Sequence, residues 1–353
     1  MKLALILPNN VWFCPYVAIY TQILDAAKIQ YDIISWNRDG KENMPLQYNK
    51  RCHTRNKISL LIAYAQYANH IKKILKKASY DKLIVFTAPL GIFLASYLKH
   101  SYKNKYIFDY RDVSIEQFFI FKYPFIKLLT NSYANMLSSF GYKQVLPQGY
   151  NYILSHNFNV EHVKKALQQP IQKNIEYNDI NILTIGGIRN YESNIKIVEA
   201  LANKESFKIS FVGKGEVGKQ IYHYALKNQI NNVHVTGYYP KEEEENFVKK
   251  STFINIIFPK VTSHSTILSN RFYLALIHKK PMIVTSNSFQ SNYVEMYNLG
   301  LSVDTCKHLD EAIIHFLNNL NYEEFQKQCN YLLRIFLKDY YLFEQKVKNF
   351  IED

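Results

Sequence analysis

Long apolar runs are missing from this chain, and with them any candidate for a membrane-spanning helix. The longest apolar stretch, Leu83 to Leu98, is broken by Pro89 and Gly91 and falls short of the ~20 residues a bilayer demands. No leader is expected either, because Lys2 precedes only a short apolar run ending at Pro8. Cysteine is scarce. Cys14, Cys52, Cys306 and Cys329 have neither metal-ligand spacing nor the density of a disulfide framework. No paired-carboxylate motif stands at a convincing strand end, so no metal and no other cofactor is expected. Repeats of solenoid period and low-complexity tracts are absent as well. These absences leave a cytoplasmic protein, or one held peripherally on the inner face of the cell membrane.

Acidic residues are also thin on the ground, but only in the first half. Residues 1–165 hold 22 Lys+Arg against 9 Asp+Glu, whereas the remainder is balanced at 21 against 20. Lys72-Lys73 with Lys76-Lys77 on one helical stretch, and the aromatic-rich run Phe118 to Phe125, suit an anionic membrane surface. Each cation near such a surface contributes on the order of 1 kcal/mol. A lysine-rich solvated face is the plainer reading of any one cluster. Nucleic acid would attract the same charge, yet no nucleic-acid motif or aromatic stacking platform is evident, so none is expected as a partner.

What the chain does have is regular alternation from Asn181 to Asp304. Ile182–Ile185 is an apolar strand ending on Gly186-Gly187-Ile188-Arg189, and a helical pattern follows through Ile195, Val198 and Leu201. Phe207–Val212 is the next strand, closed by Gly213-Lys214-Gly215. Strands at Val233–Thr236, Phe253–Phe258 and Met282–Thr285 follow, with a helix over Asn270–Ile277. The acids Glu242 to Glu245 behind Pro240 read as a helix start. The first half repeats the style, with strands at Leu3–Leu7, Tyr31–Trp36, Leu83–Phe86 and Tyr106–Phe108, and Tyr322 to Ile351 reads as helix. The fold class is therefore α/β, with two doubly wound parallel-sheet domains. The expected division is 1–165, a linker at 166–179, and 180–353 with the terminal helices.

Parallel sheets of this kind bind ligands at the carboxyl ends of their strands, and the turns there carry phosphate-suited residues. Gly186 and Gly187 allow close approach of backbone to an anion, and the following helix points its N-terminus at it. Gly213 to Gly218 also fits the dinucleotide fingerprint G-x-G-x-x-G, but the next strand ends Val233-His234-Val235-Thr236-Gly237 without the acid that would hold a ribose. A nicotinamide enzyme is disfavoured.

The order strand, Gly-Gly-Ile-Arg, helix, strand, Gly-Lys-Gly, helix, strand ending in Gly, helix, then Ser269-Asn270-Arg271-Phe272-Tyr273 and Lys279 to Val284, resembles the C-terminal domain of GT-B glycosyltransferases. More narrowly, the chain is similar to the family 4-like enzymes of bacterial capsule and surface-polysaccharide clusters. Ile107 to Asp112 and Ser155-His156-Asn157 extend the likeness through the first half. The resemblance implies two Rossmann-like domains facing across a cleft. It also implies transfer of a sugar from a nucleotide-sugar donor to a lipid-linked or oligosaccharide acceptor, with retention at the anomeric centre.

Breaking the glycosidic bond leaves charge on a diphosphate, which fixed cations and backbone N–H groups must stabilise. The donor-side candidates are Gly187, Arg189, Lys214, His264, Ser265, Thr266, Asn270 and Arg271, with Arg189 foremost. Arg189 could equally be a surface arginine beside an ordinary turn, and Arg271 could face solvent. Asp109, Arg111 and Asp112, just past a strand end, are the acid-base candidates, or an ion pair that orders a loop. Asn10, His156 and Asn157 are placed on the acceptor side. One departure stands out: where family 4 enzymes commonly hold ribose with a pair of glutamates eight residues apart, this chain has Thr266 and Leu274. Two further readings stay open, a sugar-nucleotide epimerase of the same fold and a non-catalytic subunit that docks a synthase on the membrane.

Overall fold

A computed structural model describes residues 1–52, 56–173 and 179–353, so residues 174–178 of the expected linker lie outside the described residues. Two compact units emerge, Met1–Asn157 with Lys338–Asp353, and Phe158–Leu337.

The first unit is built on strands β1 (Lys2–Ile6), β2 (Gln30–Trp36), β3 (Leu46–Tyr48), β4 (Lys82–Phe86), β5 (Tyr106–Tyr110), β6 (Ala134–Leu137) and β7 (Tyr152–Leu154). They lie in the order β3-β2-β1-β4-β5-β6-β7 and pair in parallel. The second unit contains β8 (Ile180–Ile185), β9 (Phe207–Val212), β10 (Val233–Thr236), β11 (Phe253–Ile256), β12 (Met282–Thr285) and β13 (Gly300–Val303). Their order is β10-β9-β8-β11-β12-β13, again parallel. A parallel sheet needs a crossover between neighbours, and helices supply it, so both faces are covered and the central strands become continuous apolar runs. Leu3 to Leu7 and Leu83 to Phe86 are fully buried for that reason, as are Ile209, Phe211 and Phe253 in the second core.

The strand order reverses between β1 and β4 in one sheet and between β8 and β11 in the other. Those crevices, at the carboxyl ends, are where the topology leaves room for a ligand.

Division by packing differs from the expected boundaries at 165 and 180. The helix Val160–Gln168 sits in the second unit, while the end of the helix Tyr322–Glu352 belongs to the first. Its Phe343 ring lies 5.0 Å from Tyr20, Phe350 lies 5.0 Å from Tyr133, and Lys82 donates to the Phe350 carbonyl. Phe343, Val347 and Phe350 are buried, and that apolar stripe fixes the assignment.

The glycines after β8 and β9 divide their labour. The two turns run side by side, with Gly186 N donating to Val212 O and Ile188 N to Lys214 O, both at 2.9 Å. Gly213 sits at φ 142°, and a β-carbon there would lie 1.7 Å from the Gly186 carbonyl oxygen; at Gly215 it would lie 2.2 Å from that of Ile188. The Gly-Lys-Gly motif thus serves main-chain packing between turns. Gly213→Ala is expected to cost about 2 kcal/mol or more. A lower urea midpoint at unchanged slope would report it, and an unchanged midpoint would contradict the close approach.

Candidate active site

The second unit gathers two arginines at its crevice. Arg271 stands in the first turn of the helix Asn270–Ile277, whose N-cap Ser269 accepts from Phe272 N. Its Nε donates to Ile185 O at 2.6 Å, Nη2 to Gly187 O at 3.1 Å and Nη1 to Asn255 O at 3.3 Å. These carbonyls belong to the ends of β8 and β11, so the guanidinium spans the point where the strand order reverses. All three hydrogen bonds end on carbonyls and none on a carboxylate. Burial pulls the Arg271 pKa down to about 10, with nearby Arg189 pulling the same way, and the group stays protonated at neutral pH.

Arg189 is the complement. Its main-chain carbonyl is fixed by Asn194 Nδ2 at 2.8 Å, while its exposed side chain makes no hydrogen bond or ion pair to another side chain among the described residues. Gly186 has φ 93°, and the space where its β-carbon would stand is open. At Gly187 only the Arg189 side chain comes near, at 3.4 Å. The helix Tyr191–Leu201 starts directly beyond, capped by Asn190 Oδ1 accepting from Ser193 N at 2.8 Å. Two cations that repel each other, open backbone and a helix N-terminus are groups that would stabilise an anion brought among them.

The other donor-side residues separate by position. Phe258 links to the arginines, its ring centroid 5.9 Å from the Arg271 guanidinium, and His264 stacks on Phe258 at 5.4 Å. With Ser265, Thr285, Ser288 and Gln290 they line a cavity of about 280 Å³ at the carboxyl ends of β11 and β12. His264 Nδ1 is enclosed without a hydrogen-bond partner, and burial holds the imidazole pKa below its ordinary value. Thr266 is buried, its hydroxyl turned back to Thr262 O at 2.9 Å. Asn270 is exposed at the helix start, and Leu274 is half-buried one turn later. Lys214 is exposed with its ammonium 4.2 Å above the Tyr238 ring.

In the first unit Asp109 and Arg111 form a buried polar cluster with Tyr20 and Ser155, while the other candidates lie apart from it. Asp109 is wholly enclosed at the end of β5. Its Oδ2 accepts from Tyr20 Oη at 2.6 Å, Arg111 Nη2 at 2.5 Å and Ser155 Oγ at 3.4 Å. Arg111 also donates to Ser155 O at 3.1 Å and covers the Tyr16 ring at 4.6 Å. Burial raises the Asp109 pKa and the Arg111 guanidinium opposes the rise. Asp112 is exposed two residues beyond β5. His156 is buried, its Nε2 3.1 Å from Asp339 Oδ2 on the terminal helix, and burial lowers its pKa against that carboxylate. Asn157, next to it, is half-buried. Asn10 is buried too, donating to Asn37 Oδ1 at 3.0 Å and Asp39 Oδ1 at 2.8 Å, which ties the loop after β1 to the loop after β2.

Sequence reading misses Asn255, whose carbonyl meets Arg271 and whose Nδ2 donates to Thr184 Oγ1 at 2.7 Å. A polar residue inside the apolar run Phe253–Ile256 was the available signal. It also misses Tyr20 and Ser155, which no local pattern links to Asp109. Among the described residues no group of three or more His, Cys, Asp or Glu could hold a metal ion, and no helix is long and apolar enough to cross a membrane.

The two parallel-sheet Rossmann-like units define the GT-B fold. Solved structures of that fold superpose over nearly the whole chain. Sucrose-phosphate synthase from Thermosynechococcus elongatus is 14% identical with a TM-score of 0.74, covering 100% of this chain and 99% of that one. HepE from Anabaena, in complex with UDP-glucose, is 12% identical with a TM-score of 0.61, covering 100% and 99%. UDP-GlcNAc 2-epimerase from Neisseria meningitidis, bound to UDP-GlcNAc, is 10% identical with a TM-score of 0.59, covering 96% and 100%. No family model matches the chain, and no curated protein matches it in sequence. Likeness at this identity is a likeness of fold.

Proposed function

We propose that the protein is a nucleotide-sugar-dependent glycosyltransferase whose second unit binds the donor diphosphate between Arg189 and Arg271. The observation that carries this reading is the pair of guanidiniums at the β8/β11 crevice, one locked on carbonyls without a counter-charge and one free above open glycine backbone. HepE and the Neisseria epimerase, of the same fold, hold UDP-sugars, which makes a UDP-sugar the first donor to test.

In the proposed reaction the bond from the anomeric carbon to the diphosphate oxygen breaks and one to the acceptor oxygen forms. The two arginines take up the charge that develops on the leaving group. With retention, the departing phosphate accepts the acceptor's proton, and no side-chain base is required. That agrees with an Asp109 wholly buried in an ion pair with Arg111, its Oδ2 held by three donors and its Oδ1 enclosed away from solvent. Asp112, exposed at the same strand end, is left to position an acceptor. The acceptor is a lipid-linked or oligosaccharide chain of bacterial surface polysaccharide, met at the membrane's inner face, and no metal takes part. Loss of turnover in chelator, restored by a divalent ion, would overturn the last point.

The test is thermal stabilisation by UDP-, GDP-, CMP- and dTDP-sugars. Ligand at 100 times its dissociation constant adds about 2.7 kcal/mol to the native state. A selective shift that weakens in Arg189→Ala is the expected result. Silence across the panel with folded protein would favour the non-catalytic subunit. A donor converted without any acceptor would favour the epimerase.

A further inference from the structure

The helix Phe119–Asn131 in the first unit is apolar on both sides. Its inner side packs normally, with Phe125, Leu128 and Leu129 buried, Phe108 and Phe125 rings 6.0 Å apart and Phe93 and Phe121 6.3 Å apart. Its outer side is the anomaly. Phe118 is 55% exposed, Phe119 85%, Ile120 71% and Tyr123 71%, and Ile126 lies on the same side. A surface helix ordinarily turns polar residues outward, and contiguous exposed apolar groups mark a contact surface.

The helix itself carries charge of one sign, and the acids beside this face lie off it: Glu116 is buried against Tyr110 and Ser114, Asp112 is exposed in the preceding loop, and Glu42 accepts from Trp12 N. From Gln117 to Val160 the chain contains no Asp or Glu, while Lys122 is exposed among the apolar side chains and Lys127 lies over Tyr123 at 4.8 Å. Phe118 and Phe119 follow the end of β5, and Trp12 and Phe13 follow the end of β1. In a parallel sheet both pairs stand at the carboxyl edge, and Trp12 is 55% and Phe13 43% exposed.

We infer that this helix is an in-plane anchor: its outer face enters the headgroup region of an anionic bilayer, with Phe119, Ile120 and Tyr123 in the acyl boundary and Lys122 among the lipid phosphates. Aromatic and aliphatic side chains interleaved with lysine, with no carboxylate on the helix itself, is the chemistry an interfacial helix uses. A second copy meeting this face with its own would set Lys122 and Lys127 against their counterparts, whereas lipid phosphates complement them. The lysines Lys72, Lys73, Lys76 and Lys77 then serve as long-range attraction and the helix as the part that inserts. The inference deepens the membrane side of the proposed function, yet stands or falls apart from the donor site, which the nucleotide-sugar screen reads by itself.

The experiment is cosedimentation of the full chain with mixed phosphatidylglycerol and phosphatidylcholine vesicles, and with phosphatidylcholine alone. Binding is expected on the anionic vesicles, weakened by salt. It should fall about tenfold or more in Phe119→Ser/Ile120→Ser/Tyr123→Ser, given the apolar area removed. A second variant, Trp12→Phe/Phe119→Trp, keeps the face apolar and places a reporter at its centre; its emission should shift to the blue on anionic vesicles. No binding, binding unchanged in the triple variant, or an unshifted reporter would overturn the inference. Self-association in sedimentation velocity that the triple variant abolishes, without vesicle binding, would give the face to a second copy instead.

Discussion

Arg189→Ala is expected to lower turnover about a hundredfold or more, the scale for removing one charge-stabilising donor, while thermal unfolding stays where it was. The two halves of that outcome have separate causes. The guanidinium is exposed and makes no bond to another side chain among the described residues, so folding does not depend on it. Its carbonyl and the cap at Asn190 hold the turn through main-chain and Asn194 contacts that alanine preserves. Arg271→Ala is the contrast. It should lose turnover too, but it also strips the Arg271 guanidinium from Ile185 O, Gly187 O and Asn255 O and brings unfolding to lower temperature. The measurement is nucleoside diphosphate release from the donor that the stability screen selects, beside a melting curve for each variant. Turnover at the parent level in Arg189→Ala would remove the diphosphate from this crevice.

The sheet was legible because central strands of a parallel sheet are buried on both faces and print themselves as apolar runs: Ile182–Ile185, Phe207–Val212 and Met282–Thr285 are such runs and are strands. Edge and short strands print less. Gly300–Val303 is half-buried along its length, and Leu46–Tyr48 has three residues, so neither stood out from its surroundings. The turn Gly186-Gly187-Ile188-Arg189 was legible as a glycine turn at a strand end with an exposed arginine, and that is where it lies. The role of Gly213 and Gly215 was not, since it depends on a second turn 27 residues away in sequence lying within touching distance. Partners across such separations escape any local pattern. Asp109 with Ser155, and His156 with Asp339, are of this kind, and the second pairing lies in the end of the last helix that belongs to the first unit, not to the domain its sequence position assigns it.

Asp109→Ala is expected to destabilise the protein by about 3 to 5 kcal/mol, the cost of leaving a buried charge without its partner. Arg111 is 6% exposed and, among the described residues, hydrogen-bonds no other carboxylate; with Asp109 gone it keeps Ser155 and the Tyr16 face. Tyr20 loses its acceptor in the same step, and its buried hydroxyl adds to the loss. Most of the cost should return in Asp109→Leu/Arg111→Met, because an apolar pair of similar volume needs no desolvated charge. Urea unfolding of the single and double variants measures both. The comparison also separates the two roles this strand end permits. A carboxylate that orders the loop gives a stability loss that the double variant repairs, with turnover returning alongside it. A carboxylate that acts on substrate gives a well-folded Asp109→Asn with turnover gone, and no apolar replacement restores it. The enclosed Oδ2, already accepting from three donors, puts the weight on the first.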